Sequence, residues 1–535
     1  MELICVDDAI ELAKALTNKN ITHSNISYLV QYGRISKFNK NGSLWLSKDE
    51  LVNYFKSQSD KRKQLWQTSL NDDVNWHLSF EEYKEAETTK HVHRLHPYKG
   101  KFIPQLVEYF LDAHKDAFKK QIFFNKGDVI LDPFCGSGTT LIEANERGMH
   151  AVGVDVSSFN AMICNVKLSK CDLNALEHEL KNITNKLSFF VYESGIQDFE
   201  DRLKDELSAF NSQYFPSPQF KIDVRNKIID EKEYSKEKEK LFLPIYEKLL
   251  KYFDIKLEQE HKNTFLEKWY IPTVKREIDF VYSLIEKIKD DSLRNVAKVI
   301  LSRTIRSSRA TTHSDLATIY SPVFFPYYCT KHNKICKPLF SIFKWWNTYS
   351  KDTIKRLKTF SSIRTHTHQI CVVGDSRNIN LLESLEGALP PLYNEVLHKK
   401  IAGIFSSPPY VGLIDYHEQH AYAYELLGLK RQDEFEIGSL FNGNSKKAQK
   451  DYVEGISSVL LNMKKYLKDD YNVFLVANDK FNLYPTIAKK ANMKIINTYL
   501  RPVLNRTEKD KGAYSETIFH MKEKKDKIDE YFSRF

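Results

Sequence analysis

The sequence contains few cysteines and no long apolar run. Its seven cysteines are scattered over 535 residues, so they do not form the dense disulfide framework of a small secreted protein. No stretch approaches the roughly 20 apolar residues that a membrane-spanning helix needs. The chain starts with acidic residues where a secretory signal would carry basic ones. We therefore expect a soluble, cytoplasmic protein with reduced thiols and no membrane partner.

A large excess of one sign of charge is also missing. The 80 Lys and Arg residues outnumber the 70 Asp and Glu residues only enough to give a formal net charge of +10. Such a charge favours the approach of a polyanion, but many soluble proteins are equally basic. A hydrophobic fraction of 42% excludes a disordered chain. The length predicts three or four structural units at roughly 150 residues each.

Strands alternate with helices from about residue 75 onward. This alternation is typical of an α/β fold in which helices cover a parallel sheet. The first two predicted helices cover residues 139–147 and 158–168. The predicted strands, the first of them with its preceding turn, are 126–132, 150–156, 369–375, 400–406, 471–479, 494–502 and 515–522.

Two further regions flank or interrupt this pattern. Residues 170–367 form an insert longer than a sheet connection requires, and we expect it to be a helix-rich domain of its own. Residues 1–75 combine short helical patterns with a short strand at 43–46. Within them, residues 26–35 resemble part of a winged helix-turn-helix, and a small helical cap is the equal alternative. We therefore expect two separate segments of the chain, 76–169 and 368–535, to form the sheet together.

A glycine-rich turn follows the first strand of the sheet. Gly136 and Gly138 would let the backbone approach a ligand closely, as in nucleotide sites. Leu141 stands where a dinucleotide fingerprint has its third glycine, so the turn alone is weak evidence. Asp155 ends the next strand, about 20 residues later, a placement that suits the two hydroxyls of a ribose. The alternative for Asp155 is a helix N-cap.

A second motif, Ser407-Pro408-Pro409-Tyr410, follows a later strand. Two successive prolines fix the backbone and remove two amide donors, which leaves carbonyl oxygens free to accept hydrogen bonds. Acceptors that hold both hydrogens of an exocyclic amine can turn its lone pair toward an incoming methyl group, while Tyr410 stacks on the base. An ordinary rigid turn is the alternative for this motif alone.

Together, Asp132 to Thr140 and Ser407 to Tyr410 resemble the amino-methylating DNA methyltransferases that use S-adenosylmethionine. The stretch His96 to Pro104 resembles the motif that helps hold the methionine end of the cofactor, and Gly374-Asp375-Ser376 resembles the acidic strand end near the adenine. The resemblance implies a Rossmann-like class I methyltransferase sheet and a base flipped out of double-stranded DNA. The implied cofactor-binding residues are Lys101, Phe102, Asp132, Phe134, Gly136, Gly138, Asp155, Asp375 and Ser376, and the implied catalytic residues are Ser407, Pro408, Pro409 and Tyr410.

The first residue of the Pro-Pro motif bears on the methylated base. Ser407 resembles the enzymes that methylate N4 of cytosine, since adenine N6 enzymes more often carry Asp or Asn there. We therefore predict a site-specific cytosine-N4 methyltransferase of restriction-modification or host defence, with a cognate restriction endonuclease as a possible partner. The alternatives are adenine N6 methylation, an RNA methyltransferase and an inactive DNA-binding regulator. The insert is expected to recognise the target sequence.

Three weaker groups remain, and no metal is expected in the catalytic site. Cys329, His332 and Cys336 have the spacing of metal ligands, with His313 as a guessed fourth; a buried-thiol turn is the alternative. A second group is His91, His93 and His96, for which backbone or cofactor contacts are favoured over a metal. The third group, with a composition suited to DNA contacts or to a basic helix face held by insert carboxylates, is Arg303, Arg306, Arg309, Thr311, Thr312 and His313.

Overall fold

The computed structural model describes residues 2–17, 21–31, 33–40, 43–55, 68, 74–83, 85–310, 321–337, 341–503 and 514–524. The N-terminal region has its own small core, formed by residues such as Ala9, Ile26 and Leu46. Its described residues contain short helices, as expected, together with an antiparallel sheet in the order β1-β3-β2, of which only β3 was predicted. Its elements are β1 Leu3–Cys5, α1 Val6–Thr17, α2 His23–Gln31, β2 Lys37–Lys40, β3 Ser43–Ser47 and α3, residues 48–55.

The first segment of the main sheet follows. Its short helix α4 and longer helix α5 precede the strands, and 3₁₀ turns lie at Trp76–Ser79 and His91–Arg94. The four residues of β4 are all buried, as expected for a strand inside a parallel sheet. The elements are α4 Glu85–Thr88, α5 Pro104–Leu111, β4 Val129–Asp132, α6 Thr139–Glu146, β5 His150–Asp155 and α7 Ser158–Leu168.

The insert is helix-rich, as predicted, but it does not have a separate core. Buried side chains such as Val296 and Trp346 belong to the same cluster as Phe110 and Phe474 of the sheet region. The insert packs there because one face of the sheet is apolar and needs a second layer. Its elements are α8 Leu173–Glu193, α9 Ile196–Tyr214, α10 Gln219–Arg225, α11 Glu231–Tyr252, α12 Phe265–Trp269, α13 Pro272–Ile285, α14 Asp291–Ser308, β6 Tyr327–Cys329, β7 Lys334–Cys336 and α15 Phe343–Ser361.

The last segment completes the sheet. Two 3₁₀ turns, Asp433–Phe435 and Leu440–Asn442, lie in the long connection after β9. The elements are β8 Gln369–Val373, α16 Leu381–Ala388, α17 Pro390–Lys399, β9 Ile401–Ser406, α18 Tyr416–Gln419, α19 Ala421–Leu426, α20 Lys446–Lys464, β10 Leu467–Ala477, α21 Tyr484–Lys490, β11 Met493–Pro502 and β12 Ser515–Glu523.

The seven strands of the main sheet have the order β8-β5-β4-β9-β10-β12-β11. β12 is antiparallel to both of its neighbours, and the pairs from β8 to β10 are parallel. The chain runs outward from β4 through β5 to β8 and then returns to β9 on the other side of β4. In open α/β sheets ligands bind at such a switch point, beyond the carboxyl ends of the strands. The prediction of an α/β, Rossmann-like fold is confirmed.

Two hydrophobic layers cover the sheet. On β10, Phe474 and Val476 face the layer that contains α5 to α7 and the insert. Val473 and Leu475 alternate with them and face α16, α17, α20 and α21. The strand ends between these layers are therefore fixed from both sides.

None of the described helices combines the length and the apolar character needed to cross a bilayer.

Candidate active site

A cavity of about 840 Å³ opens beyond the carboxyl ends of β4, β5 and β9. It lies where the switch point of the sheet places it. Residues that are far apart in the sequence meet in its wall. The predicted site residues that line it are Lys101, Phe102, Asp132, Phe134, Gly136, Asp155, Asp375, Ser376, Ser407 and Pro409.

The glycine turn packs tightly against Tyr98. Gly136 has a φ of +50°, and a Cβ at this position would lie 2.8 Å from the Tyr98 hydroxyl oxygen. The Gly136 amide donates a 2.7 Å hydrogen bond to the Asp155 carboxylate. A larger residue would therefore have to displace Tyr98 and strain the backbone.

Gly138 does not line the cavity, although its φ of +80° is as unusual as that of Gly136. A Cβ on Gly138 would lie 2.4 Å from the Cys164 sulfur of α7. This glycine lets the start of α6 approach α7, so its requirement comes from helix packing.

Asp155 ends β5 and lines the cavity. Its carboxylate accepts hydrogen bonds from the amides of Gly136 and Ser157 and from the Asn160 side chain. The N-cap of α7 is Ser157, so the alternative role for Asp155 does not apply. Removal from water raises the pKa of Asp155 to about 6.

Asp132 joins the two motifs. It ends β4, is buried, and accepts a 2.5 Å hydrogen bond from the hydroxyl of Ser406, the last residue of β9. Burial raises the pKa of Asp132 to about 6, and its hydrogen bonds oppose that rise. Because Ser407 follows Ser406 directly, this contact fixes the position of the Pro-Pro motif relative to the glycine turn.

The Pro-Pro motif is held by contacts to two other strands. The Ser407 hydroxyl donates to the Val476 carbonyl of β10 at 3.1 Å. The Tyr410 hydroxyl donates to Glu516 of β12 at 3.0 Å, and Glu516 pairs with Arg501 at 2.9 Å. Ser407 and Pro409 line the cavity, whereas Pro408 and Tyr410 lie beside its wall.

The remaining predicted residues are also anchored. Lys101 donates to the His93 carbonyl at 2.6 Å, and burial lowers its pKa to about 8. Phe102 contacts Phe405 of β9 edge to face, with ring centroids 5.7 Å apart. The Ser376 hydroxyl donates to the Pro133 carbonyl at 2.7 Å. Asp375 forms a 2.8 Å ion pair with Arg377 beside it. These contacts bring the three cofactor motifs together around one cavity.

The part of the wall that follows the Pro-Pro motif was not predicted from the sequence. His417 is buried, and both its amide and its Nδ1 contact the Glu436 carboxylate. Its Nε2 has no hydrogen-bond partner among the described residues. Tyr416 stacks on Tyr98 with an interplanar angle of 20°. A dense run of aromatic and histidine residues at 416–424 was the available signal.

The histidines before α5 lie behind the cavity wall. His93 contacts Glu143 at 2.8 Å, and His91 contacts Glu146 at 3.0 Å. His96 contacts the carbonyl of Pro97 through its Nδ1. None of the three histidines lines the cavity. They support the Lys101 segment by backbone and side-chain contacts.

Arg303 and Arg309, near the C-terminal end of α14, lack the exposure that the predicted DNA-contacting role requires. Arg303 is buried, forms a 2.8 Å ion pair with Asp352, and stacks on Tyr349 at 3.9 Å. Arg309 is also buried, and Arg306 is partly exposed. The alternative of a basic helix face held by an insert carboxylate is confirmed for Arg303. Residues 311–313 lie outside the described residues.

The wall of the cavity fits S-adenosylmethionine in its chemistry. It carries the carboxylates of Asp132, Asp155 and Asp375, which suit a cofactor with a cationic sulfonium and an ammonium group. Phe134 and Phe435 add aromatic surface for a purine ring. Sheet order, glycine turn and acidic strand ends define a class I methyltransferase.

Several known proteins match this chain, one of them along almost all of its length. A family model for N6 and N4 methylases, described as DNA methylase, matches residues 9–164. The type II methyltransferase M.MjaII of Methanocaldococcus jannaschii is 44% identical over 525 residues, which cover 97% of each chain. The type II methyltransferase M.BsoBI of Geobacillus stearothermophilus is 24% identical over 46% of this chain and 52% of its own length.

The chain belongs to the type II methyltransferases of the DNA methylase family. S-adenosylmethionine is the methyl donor of this family, as the cavity chemistry indicates. Among solved structures, the rRNA methyltransferase AviRa of Streptomyces viridochromogenes is 9% identical, with a TM-score of 0.28 over 83% of this chain and 94% of its own. That similarity is too low to bear on the function.

Proposed function

We propose that this enzyme transfers a methyl group from S-adenosylmethionine to the N4 amine of cytosine in double-stranded DNA. The membership of the DNA methylase family supports DNA as the substrate. The choice of cytosine rests on Ser407. The proposed catalytic residues are Ser407, Pro408, Pro409 and Tyr410.

The hydrogen bond from Ser407 to Val476 carries the proposal. Because the hydroxyl proton points to the Val476 carbonyl, the oxygen lone pairs of Ser407 are left to accept a hydrogen from an amine. The group is short and neutral, as in the enzymes that methylate cytosine N4. In the same cavity, the carbonyls of the Pro-Pro motif would accept the second hydrogen and direct the amine lone pair toward the methyl donor.

The cofactor supplies an activated methyl group, and the chain binds and orients both reactants. Gly136, Asp155 and Asp375 are proposed to hold the cofactor on one side of the cavity, and Ser407 and Pro409 the base on the other. The bond between Asp132 and Ser406 fixes the distance between these two sides. The enzyme thus lowers the barrier mainly by positioning.

Tyr410 is proposed to stack on the flipped base. Its hydroxyl is fixed by Glu516, which is itself paired with Arg501, so the ring keeps one orientation. Ring stacking contributes about 1–3 kcal/mol per base and offsets part of the cost of unstacking from the duplex. A target amine inside the duplex cannot reach the cavity, which is why flipping is part of the proposal.

The insert is proposed to recognise the target sequence. It is attached directly to the segment that follows the Pro-Pro motif, because Glu425 of α19 accepts hydrogen bonds from the amides of Phe265 and Leu266 at the start of α12. Helix α14 also contacts α19. An insert bound to this segment can couple recognition of DNA to the placement of the base.

Nucleoside mass spectrometry of methylated DNA tests the proposal. Duplex DNA incubated with the enzyme and S-adenosylmethionine should yield N4-methylcytosine after hydrolysis, and the Tyr410→Ala variant should yield much less. N6-methyladenine alone would establish the second candidate, adenine methylation, which the neutral acceptor Ser407 also permits. Methylation of RNA in preference to duplex DNA would overturn the proposed substrate class.

A role in restriction-modification is proposed from the type II relatives. The methylated DNA should then resist a restriction endonuclease that cuts the same sequence. Sequencing that detects the modified bases would give the recognition site. Modification of cytosines without any sequence preference would contradict this role.

A further inference from the structure

The hairpin of β6 and β7 places three metal-binding side chains together in the insert. Cys329 ends β6 and Cys336 ends β7, and the register pairs Cys329 with Lys334 and Tyr327 with Cys336. Residues two apart on a strand share a face, so both cysteines lie on the same face of the hairpin. His332 lies in the connecting turn, where its amide and that of Asn333 donate to the Cys329 carbonyl.

The ligand atoms of these three residues have the spacing of a metal site. The two sulfurs and a His332 ring nitrogen all lie within 4.8 Å of one another. The distance from the Cys336 sulfur to His332 Nδ1 is 3.5 Å. A tetrahedral zinc ion with Zn–S bonds of about 2.3 Å and Zn–N bonds of about 2.0 Å holds such atoms roughly 3.5 Å apart.

We propose that Cys329, His332 and Cys336 bind a Zn²⁺ ion. Thiolate and imidazole are the ligands that zinc prefers, and their C-x2-H-x3-C spacing within one hairpin is compact enough to close around one ion. Among the described residues, no fourth Cys, His, Asp or Glu joins this group. A water molecule completes the tetrahedron, so the ion is accessible to chelators.

Two other clusters in the described chain differ from this one. Cys135, Cys164 and Cys371 are buried in the main core. Gly138 and Gly153 press against two of these sulfurs, since a Cβ on either glycine would lie 2.4 Å from a sulfur atom. That cluster acts as core packing.

The second cluster consists of His91, His93 and Glu146. There, the Lys90 ammonium already lies 2.8 Å from the Glu146 carboxylate and supplies the positive charge. The hairpin site is thus the one of the three that combines sulfur and nitrogen ligands with partial exposure of His332 and Cys336.

The metal would stabilise a hairpin that is too short to be stable by itself. Each strand has three residues, and an isolated two-stranded hairpin is marginal in water. Asn211 of α9 bonds both the amide and the carbonyl of Ile335, which ties the inner face of β7 to the insert. The metal face borders a groove lined by Lys204, Lys334 and Lys337, whose shape the ion would therefore fix.

Metal analysis of the purified full-length enzyme tests the site. We expect about one zinc per chain in wild type. We expect below about a tenth of that in Cys336→Ser, and a similar loss in His332→Gln. The matched control Cys371→Ser removes a thiol from the core cluster and should keep the zinc. Wild-type enzyme without zinc, even after incubation with Zn²⁺, would overturn the proposal, as would zinc retained by Cys336→Ser.

Cobalt provides a readout that does not depend on a folded variant. Wild-type enzyme stripped with a chelator and reloaded with Co²⁺ should show the visible d–d bands of a tetrahedral site and a thiolate-to-metal charge-transfer band. Addition of Zn²⁺ should abolish the d–d bands and the charge-transfer band, because Zn²⁺ displaces Co²⁺ from the site. A Co²⁺ spectrum of octahedral type without charge transfer would exclude thiolate ligation and overturn the site.

Discussion

The hydroxyl of Ser406 donates a 2.5 Å hydrogen bond to the buried carboxylate of Asp132 across the adjacent strands β9 and β4. Each residue is the last of its strand, one before the Pro-Pro motif and the other before the glycine turn. The relative position of the two motifs is therefore set at the switch point of the sheet and does not depend on loop conformation.

Replacing Ser406 with alanine should disturb both motifs. The substitution removes a donor from a buried carboxylate, which costs about 1–3 kcal/mol of folding free energy and raises the pKa of Asp132 further. We expect a lower midpoint of thermal unfolding and a lower methylation rate. Ser384→Ala in α16, which does not line the cavity, is the control and should leave the rate unchanged. A Ser406→Ala enzyme with the wild-type rate would show that this bond does not position the motifs.

Gly136 should tolerate no side chain. A valine there would need a positive φ and would collide with Tyr98, so the binding of S-adenosylmethionine measured by calorimetry should fall at least tenfold, which is about 1.4 kcal/mol. Gly387→Ala in α16 is the matched control, because its added Cβ meets nothing within 4 Å. Unchanged affinity of Gly136→Val would remove the glycine turn from the cofactor site.

Tyr410 allows its ring and its hydroxyl to be tested separately. Tyr410→Ala should lower kcat/KM, because lost stacking removes about 1–3 kcal/mol of transition-state stabilisation. Its affinity for the cofactor should stay nearly intact. Tyr410→Phe keeps the ring and loses only the bond to Glu516, so its kcat/KM should lie between those of wild type and Tyr410→Ala. If both variants lose cofactor affinity instead, Tyr410 supports the cavity wall and does not stack on the base.

The sheet and most of the site could be predicted because their signals are local. Buried strands are apolar runs bounded by turns, and the predicted strands 400–406 and 494–502 match β9 and β11 within one residue. Gly136 and Ser407 lie in short motifs whose backbone chemistry is readable in sequence. Both line the cavity as expected.

The features that were missed depend on partners distant in sequence. Arg303 can be buried because it pairs with Asp352. The two residues are 49 positions apart in the sequence, so local charge patterns do not indicate the pair. The orientation of His417 depends in the same way on Glu436, 19 residues later. The insert lacks a separate core because one face of the sheet recruits its helices. Tertiary contacts determined these features, so neither composition nor periodicity predicted them.

Substitutions of two arginines of α14 should distinguish effects on stability from effects on DNA binding. Arg303→Ala breaks the pair with Asp352 and the stack on Tyr349, so thermal stability should fall and DNA affinity should fall only with it. Arg306 is partly exposed, and Arg306→Ala should weaken specific DNA binding by about 1–3 kcal/mol beyond any loss of stability if the guanidinium reads a guanine edge. Fluorescence anisotropy with specific and unrelated duplexes measures this. An equal loss on both duplexes would indicate phosphate contacts.

Glu277 should make the stability of the fold decrease as the pH rises toward about 8. Its carboxyl is buried and accepts hydrogen bonds from the Ser341 hydroxyl and the Ile342 amide at the start of α15, and burial raises its pKa to about 8. The folded state therefore binds this proton more tightly than the unfolded state. The resulting stabilisation is complete below about pH 4.5 and is lost as the pH rises through about 8, by an amount on the order of a few kcal/mol.

Glu277→Gln keeps the acceptor oxygen but cannot ionise. Its unfolding free energy, measured by urea titration between about pH 6 and pH 9, should fall less with rising pH than that of wild type. Some pH dependence should remain, because burial also raises the pKa of Glu143 to about 8. Glu258→Gln is the control, since Glu258 is an exposed carboxylate of the insert that pairs with nearby Lys262, and it should keep the wild-type pH dependence. Equal pH dependence in wild type and Glu277→Gln would mean that Glu277 is already ionised at neutral pH.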